Sequence, residues 1–261
     1  ESMTKKSLRW VIISAAVLLA VAVVITSVFL FRPSAKLDNL QAFCYPGLEW
    51  GMTMEEVREA LDCNEVNFSE TLRFENETYT SIGVAVRHQE FLGRDVPIEF
   101  WFDQFYDSDE PRLSGMTIDM FWENRNPLEG DQKDWVQLLE SWLKEQGTEY
   151  TLRVEELEYE EGSSGVTAYI ESKTDFRDQP KRYQKSYGKV YNEKIKLGFV
   201  EAPENWSPEN PVDLRSDEVR LPLVTIESSF QPRSEEVEGD IPVTTKIFAR
   251  ELAYLVAQSK K

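Results

Sequence analysis

The stretch 173–196 is the part of the chain whose residue types and spacing most suggest binding chemistry. It is basic in a chain with a net charge of −18, and tyrosines recur between its charges. The basic residues are Lys173, Arg177, Lys181, Arg182, Lys185, Lys189, Lys194 and Lys196. Such a mixture favours an anionic ligand, such as a cell-wall polymer, a lipid headgroup or an acidic protein. The sequence therefore predicts a binding surface, with an ordinary solvated connection as the alternative. Its predicted members are Lys181, Arg182, Tyr183, Lys185, Tyr187, Lys189 and Tyr191.

Cysteine and histidine are scarce, which limits metal and nucleophilic chemistry. Two thiols, Cys44 and Cys63, and one imidazole, His88, are too few for a zinc site. We therefore predict neither a metal nor a cofactor. An oxidising compartment would permit a Cys44–Cys63 disulfide. The sequence does not fix the distance between the two residues, so it does not decide whether they are bridged. His88 lies in a strand-like segment beside charged residues, which favours an exposed strand position over a catalytic base.

The usual sequence signatures of catalysis are absent. The chain contains neither a glycine-rich phosphate loop nor the GxSxG nucleophile motif. The acidic segment 103–110 lacks the ligand spacing of an EF-hand and predicts a solvated loop. With 47 Asp and Glu residues, carboxylate pairs carry no information about glycoside hydrolysis. We predict no catalytic residues, and the acidic excess excludes a nucleic-acid partner.

A membrane anchor comes before the elements that would position these residues. Residues 10–31 contain no charge, proline or glycine. At ~1.5 Å per residue their helix spans about 33 Å, enough for a bilayer core of about 30 Å. More basic residues precede the span than follow it, which favours a cytoplasmic N-terminus. A cleavable signal peptide is the alternative, disfavoured because its apolar region is usually ~7–15 residues long.

The predicted organisation follows from this anchor. A cytoplasmic N-terminus (1–9) precedes the transmembrane helix (10–31), and a linker (32–39) leads to an extracytoplasmic α+β domain (40–261). The pattern allows this domain to be divided into two subunits, 40–130 and 131–261. The chain is thus predicted to be a single-pass protein of the cell membrane.

Local patterns place helices and strands in the domain. Thr53 and Glu56 form a capping box that begins a helix, and apolar residues at helical spacing predict helices at 131–146 and 244–258. Strand patterns occur at 71–76, 80–90, 96–102, 113–122, 150–161, 165–172, 189–200 and 218–230. Glutamates at 155–161 indicate a solvated or edge strand.

The order of these elements predicts an α+β fold. Consecutive strands favour antiparallel sheets with helices packed on one face. A helix followed by a meander occurs twice, at 53–122 and 131–200, which suggests a tandem duplication.

The motif GLEWGMTMEEVREALD carries a resemblance to bacterial exported proteins. The matching residues are Gly51, Met52, Thr53, Glu56, Val57 and Leu61. The motif resembles that of the small lipoprotein subunit of the outer-membrane protein assembly machinery. It is also similar to the related domain of the β-lactamase inhibitor protein, a tandem of such units. The resemblance covers about 47–148, and it implies a helix-plus-antiparallel-sheet scaffold that binds proteins rather than catalyses.

These observations predict a non-catalytic, membrane-anchored binding protein of the bacterial cell envelope. Its partner would be another envelope protein or a wall component. A ligand-sensing or inhibitor module is the main alternative, and a carboxylate-dependent cell-wall hydrolase is less favoured. A concave apolar pocket would indicate a ligand, whereas an exposed apolar patch would indicate a protein partner.

Overall fold

The computed structural model describes most of the chain from Leu37 onward, which forms one compact unit. The described residues are 37, 39–63, 67–75, 77, 79–105, 108, 110–122, 131–158, 164–215, 219–230 and 241–260. The predicted cytoplasmic N-terminus and transmembrane helix lie outside them. Within the described part, no helix is long and apolar enough to cross a bilayer.

The described residues form an α+β fold with one eight-stranded antiparallel sheet and four helices. The strands are β1 (Phe68–Glu75), β2 (Thr80–Phe91), β3 (Arg94–Gln104), β4 (Arg112–Trp122), β5 (Tyr150–Glu158), β6 (Ser164–Ser172), β7 (Thr225–Phe230) and β8 (Ile241–Phe248). The helices are α1 (Met54–Ala60), α2 (Asp131–Glu145), α3 (Lys181–Lys196) and α4 (Arg250–Ser259). The predicted α+β class and antiparallel pairing are confirmed.

The strand order is β1-β2-β3-β4-β8-β7-β6-β5. Each half of the chain thus contributes four neighbouring strands, and β4 pairs with β8 at the centre of the sheet. β1 and β5 are the two edges, so the edge-strand prediction for the glutamate-rich segment is confirmed. Among the described residues neither β1 nor β5 pairs with a strand on its outer side, and such edges are usually protected by charges or by covering segments.

The two faces of the sheet differ in burial because side chains alternate along each strand. In β3, Ile98, Phe100 and Phe102 are fully buried, whereas Glu99 and Trp101 between them are half-buried. β7 and β8 repeat this alternation in register, whereas the edge strands β1 and β5 are exposed along most of their length. We call the first side the buried face and the second, which carries Glu99 and Trp101, the open face. Each large apolar side chain of the buried face stabilises the fold by about 1.5–3 kcal/mol.

Helix α2 packs on the buried face through two tryptophans. The indole Nε1 of Trp135 donates a hydrogen bond to Ser228 Oγ at 2.7 Å, and Ser228 belongs to the buried face of β7. The Trp142 ring meets Phe91 of β2 edge-on at 5.4 Å between centroids. The amphipathic pattern at 131–146 is therefore a core-packing helix, as its spacing predicts.

The Gly-Met-Thr motif has a clear steric basis. Gly51 adopts a φ of +87°, and a Cβ atom there would lie 2.8 Å from Val256 Cγ1 of α4. The turn is joined to β4, because Gly51 N donates to Leu113 O at 2.9 Å. Thr53 then caps α1, and both halves of the predicted capping box with Glu56 are present. Glycine is required because the backbone is left-handed and helix α4 lies against it.

Two predicted elements are wrong. Residues 189–200 were expected to form a strand, but 181–196 form helix α3. Aromatic and β-branched residues favour strands locally, yet Tyr187, Val190, Tyr191 and Ile195 make one buried helical side. Residues 244–258 were expected to form one helix, but they contain the end of β8 and helix α4. The second helix-plus-strands unit consequently ends at β8 rather than at residue 200.

Candidate binding surface

The open face presents a continuous row of side chains across all eight strands. Antiparallel register places directly paired residues on the same face, and the pairings join one residue of each strand into a line. From β1 to β5 the row is Ser69, Ala85, Glu99, Thr117, Lys246, Glu227, Tyr169 and Arg153. Acidic and basic side chains alternate in it, so the face carries charges of both signs in a chain that is acidic overall.

A second row brings two aromatic side chains to the middle of the open face. Trp101 of β3 and Phe248 of β8 are both half-buried, and both are paired with Gly115 of β4. A Cβ atom at Gly115 would lie 3.4 Å from Phe248 Cδ1, and one at Gly83 would lie 3.2 Å from Trp101 Cζ3. The two glycines therefore let the rings lie against the strand backbones, forming an aromatic platform (Trp101 and Phe248).

Polar contacts hold the side chains around the aromatic platform. The Trp101 indole Nε1 donates to Thr117 Oγ1 at 3.1 Å. The Arg250 guanidinium lies over the Phe248 ring, and the Arg153 guanidinium lies over the Tyr169 ring at 4.4 Å from its centroid. Side chains that are fixed in this way lose little conformational entropy when a partner binds.

A buried ionic cluster lies beside this platform, because Arg250, which lies over the Phe248 ring, also contacts Asp103. Asp103, at the end of β3, is 1% exposed, and Lys194 of α3, also 1% exposed, places Nζ 3.7 Å from its Oδ2. Arg250 Nε donates to the same oxygen at 3.3 Å, and the Tyr79 hydroxyl donates to Oδ1. Nζ of Lys194 makes no hydrogen bond among the described residues, although it lies over the Tyr79 ring at 4.8 Å. The prediction of a solvated loop at 103–110 is therefore wrong for its first residue. The Asp103 carboxylate is buried and contacts basic side chains of α3 and α4.

Burial and neighbouring charges have opposing effects on the pKa values of the side chains in this cluster. Burial alone would raise the pKa of Asp103, but Lys194, Arg250 and Tyr79 together lower it to about 2. Burial lowers the pKa of Lys194 to about 8, because desolvation outweighs the attraction of Asp103 at 3.7 Å. Burial also raises the pKa of Tyr187, whose hydroxyl donates to Glu251 Oε1 at 2.7 Å.

The predicted basic surface is divided between the two sides of α3. Lys181, Arg182, Lys185 and Lys189 are exposed, and Tyr183 is half-buried under the Arg182 guanidinium. Tyr187 and Tyr191 are buried instead, so their placement on the binding surface is wrong. Tyr187 and Tyr191 are four residues apart and therefore share the core-facing side of the helix, where the Tyr187 ring centroid lies 4.9 Å from that of Phe176.

The two cysteines are free thiols in this structure. Cys44 is buried in the core, where desolvation raises its thiol pKa. The Cys63 Sγ lies 3.6 Å from Leu61 O, at the end of α1. The structure therefore does not contain the bridge that an oxidising compartment would permit.

Other chemistry-bearing residues lie apart from one another. His88 is exposed at an irregularity of β2, with Nδ1 3.1 Å from Asp95 Oδ2 on β3. In the part of the chain that the structure describes, no three His, Cys, Asp or Glu side chains are grouped to hold a metal ion. The residues that sequence reasoning missed are Trp101, Phe248, Asp103 and Lys194. Only the glycines inside strands, at 83 and 115, signalled a close approach there.

Comparison of the chain with protein-family models, curated proteins and solved structures finds no significant match.

Proposed function

We propose that the protein is a non-catalytic, membrane-anchored binding protein of the bacterial cell envelope that docks a partner protein on the open face of its sheet. The apolar segment 10–31 supports the anchor, and its flanking charges support an extracytoplasmic domain. The partner would be another envelope protein.

The observation that carries this proposal is the aromatic platform. Trp101 and Phe248 are half-buried at the centre of a broad sheet face, with charges of both signs around them. Protein interfaces combine such central aromatic residues with arginine and a polar rim. A tandem origin of the two four-strand halves, and the resemblance of the first half to exported binding proteins, agree with this role.

Photo-crosslinking in intact cells tests the docking face. A photoreactive residue at Lys246, on the open face, is expected to yield an adduct of defined mass. The same probe at Gln137, exposed on α2, is the control and should yield none. Trp101→Ala in the Lys246-probe protein should reduce the adduct at least tenfold, because central aromatic residues contribute about 2 kcal/mol or more to binding. Equal adducts from Gln137, or an adduct indifferent to Trp101→Ala, would contradict the proposal.

A second candidate surface is the exposed side of α3. Lys181, Lys185 and Lys189 recur every fourth residue there, and Lys181 and Lys185 have no ion pair among the described residues. A basic side in a chain with a net charge of −18 favours an anionic wall polymer.

Neutralising this side tests the second candidate. Lys181→Ser, Arg182→Ser and Lys185→Ser together should weaken sedimentation of the full chain with purified anionic wall polymer about 100-fold, at about 1 kcal/mol per basic residue at an anionic surface. A control with the same charge change is Arg73→Ser, Lys144→Ser and Arg215→Ser, all exposed and ion-paired. Unchanged retention of the α3 variant would remove this surface from consideration.

A further inference from the structure

The outer edge of β5 is a long and regular strand edge. β5 pairs with β6 over nine consecutive residues, from Tyr150 opposite Ser172 to Glu158 opposite Ser164, without a register shift. No strand among the described residues pairs with its other side. Its outward N–H and C=O groups therefore form a straight template for another strand.

Exposed apolar side chains accompany this edge. Leu152 and Val154 are 36% and 46% exposed, although they lie on the buried face. Their register partners on β6, Ile170 and Ala168, are completely buried. The apolar surface of the buried face thus continues one strand beyond the region that the helices cover.

The opposite edge of the sheet is protected. β1 contains a register shift between Glu70 and Leu72, which interrupts a straight ladder. Arg73 forms ion pairs along the edge, with Glu70 at 2.7 Å and Glu75 at 3.8 Å. Bulges and charges of this kind discourage strand addition, so β5 is the edge that can accept a strand.

We propose that the β5 edge pairs with β5 of a second copy of this chain, antiparallel about a two-fold axis at Val154. Val154 then faces Val154 of the second copy, and Leu152 of each copy lies opposite Glu156 of the other. On the open face, Arg153 of each copy lies opposite Glu155 of the other. The pair would form a continuous sheet of sixteen strands.

Charge complementarity selects this register. A shift by one residue would place buried-face side chains on the open face, so only two-residue shifts conserve the faces. An axis at Arg153 would set the two arginines opposite each other, and an axis at Glu155 would set the two glutamates together. The axis at Val154 replaces both repulsions with two Arg–Glu pairs, and opposite charges directly across a sheet are stabilising.

The pairing has a consequence for binding. Because paired residues share a face, the two-fold axis is perpendicular to the sheet, and both open faces lie on the same side. A dimer would therefore present two aromatic platforms in one direction. The dimer itself does not depend on what binds there.

Charge reversal tests the register in the full chain, purified in nonionic detergent. Arg153→Glu and Glu155→Arg should each weaken dimerisation at least tenfold in sedimentation equilibrium, because each places two like-charged pairs across the edge. The two single variants, mixed, should form a heterodimer, since every Glu of one then faces an Arg of the other. The double variant should dimerise like the wild type. Within each chain Arg153 also forms an ion pair with Glu155 and lies over the Tyr169 ring. The double variant can restore that ion pair but not the stacking, whereas in the mixed heterodimer each chain carries like charges at 153 and 155. Heterodimer formation therefore separates an edge contact from both intrachain contacts.

A second measurement locates the axis. Val154→Cys should form a covalent dimer with a short bis-maleimide, because directly opposite Cβ atoms lie about 4.5–5.5 Å apart. Leu72→Cys, exposed on β1, is the control and should not. A monomeric full chain would overturn the proposal, and so would a dimer whose strength is the same in both single variants.

Discussion

Lys194 is an ammonium group held in the core by one carboxylate. Its Nζ lies 3.7 Å from Asp103 Oδ2, beyond hydrogen-bond distance, and the Tyr79 and Phe105 rings lie nearby at 4.8 and 5.7 Å. Aromatic faces attract a cation but do not replace its hydration. The charged form is therefore destabilised, and the pKa of Lys194 falls from 10.5 to about 8.

This shift predicts a pH dependence of stability. Below pH 8 Lys194 is protonated in both states, but between about pH 8 and 10.5 the unfolded chain binds more protons. The free energy of unfolding should therefore rise with pH across that window, by on the order of 3 kcal/mol at most. Lys194→Met should remove this slope, whereas Lys246→Met, at an exposed lysine, should keep it. Chemical unfolding of the full chain between pH 7.5 and 9.5, below the range of ordinary tyrosines, measures both.

Parallel pH profiles for Lys194→Met and the wild type would contradict the prediction.

The acidic part of the same stability profile provides an internal comparison, because the pKa of Asp103 is lowered to about 2. Its stabilisation is complete above the pKa of the unfolded aspartate, near 3.8, and is lost as pH falls towards 2.

At the scale of the element, α1 shows how a short helix is defined by its first turn. The helix has seven residues, and only Val57 among them is buried. Its start depends on Thr53 Oγ1, which accepts from Glu56 N at 3.1 Å, and on the Glu56 carboxylate, which accepts from Thr53 N at 2.7 Å. These bonds satisfy two N–H groups that the helix itself cannot.

Thr53→Ala is expected to lower the free energy of unfolding by about 1 kcal/mol, the usual value of an N-cap side chain. For a domain of this size the thermal midpoint should fall by about 2–4 °C. Thr53→Ser, which keeps the accepting hydroxyl, should remain within half of that change. Scanning calorimetry of the full chain measures all three proteins. Equal losses from Ala and Ser would show that the methyl group, rather than the cap, stabilises this turn.

Helix α3 illustrates a limit of local patterns. Between β6 and β7 the chain inserts a segment that the first half lacks, since β2 and β3 are joined by a tight turn. Pro180 precedes α3. The aromatic and β-branched residues of this helix would suit a strand equally well. Its buried side is defined by partners from other parts of the chain, among them Phe105, Phe176 and Tyr254, which pack around Tyr187.

At the scale of the molecule, the inserted helix couples the two halves of the sheet. Asp103 belongs to the first half, whereas Lys194 and Arg250 come from the second. Removing the buried carboxylate would leave two cations without their common partner, which typically costs about 3–5 kcal/mol. The strand order treats the two halves alike, but the ionic cluster makes them unequal. It lies beside the aromatic platform and joins a carboxylate of the first half to two cations of the second.

The dimer proposed at β5 and the docking proposed on the open face belong to this same scale. Pairing through β5 would leave the open face of β3, β4, β7 and β8 uncovered. The crosslinking and charge-reversal experiments can therefore succeed or fail independently.

The sequence by itself determined the strand segments of β1 to β7, where α1 and α2 begin, and that the fold is α+β, but it predicted a strand at 189–200 and missed β8. These features follow from periodicity and capping, which depend on residues within one or two turns of each other. The same reasoning placed an edge strand at the glutamates after 154.

Only the tertiary structure decided the strand order, the identity of the open face and the helical state of 181–196. It also turned 244–248 into a central strand, because β4 and β7 supply partners on both sides. The meeting of Asp103 with Lys194, and of Trp101 with Phe248, joins residues far apart in the chain. Such contacts depend on long-range pairing and shared burial, which no local pattern of residues encodes.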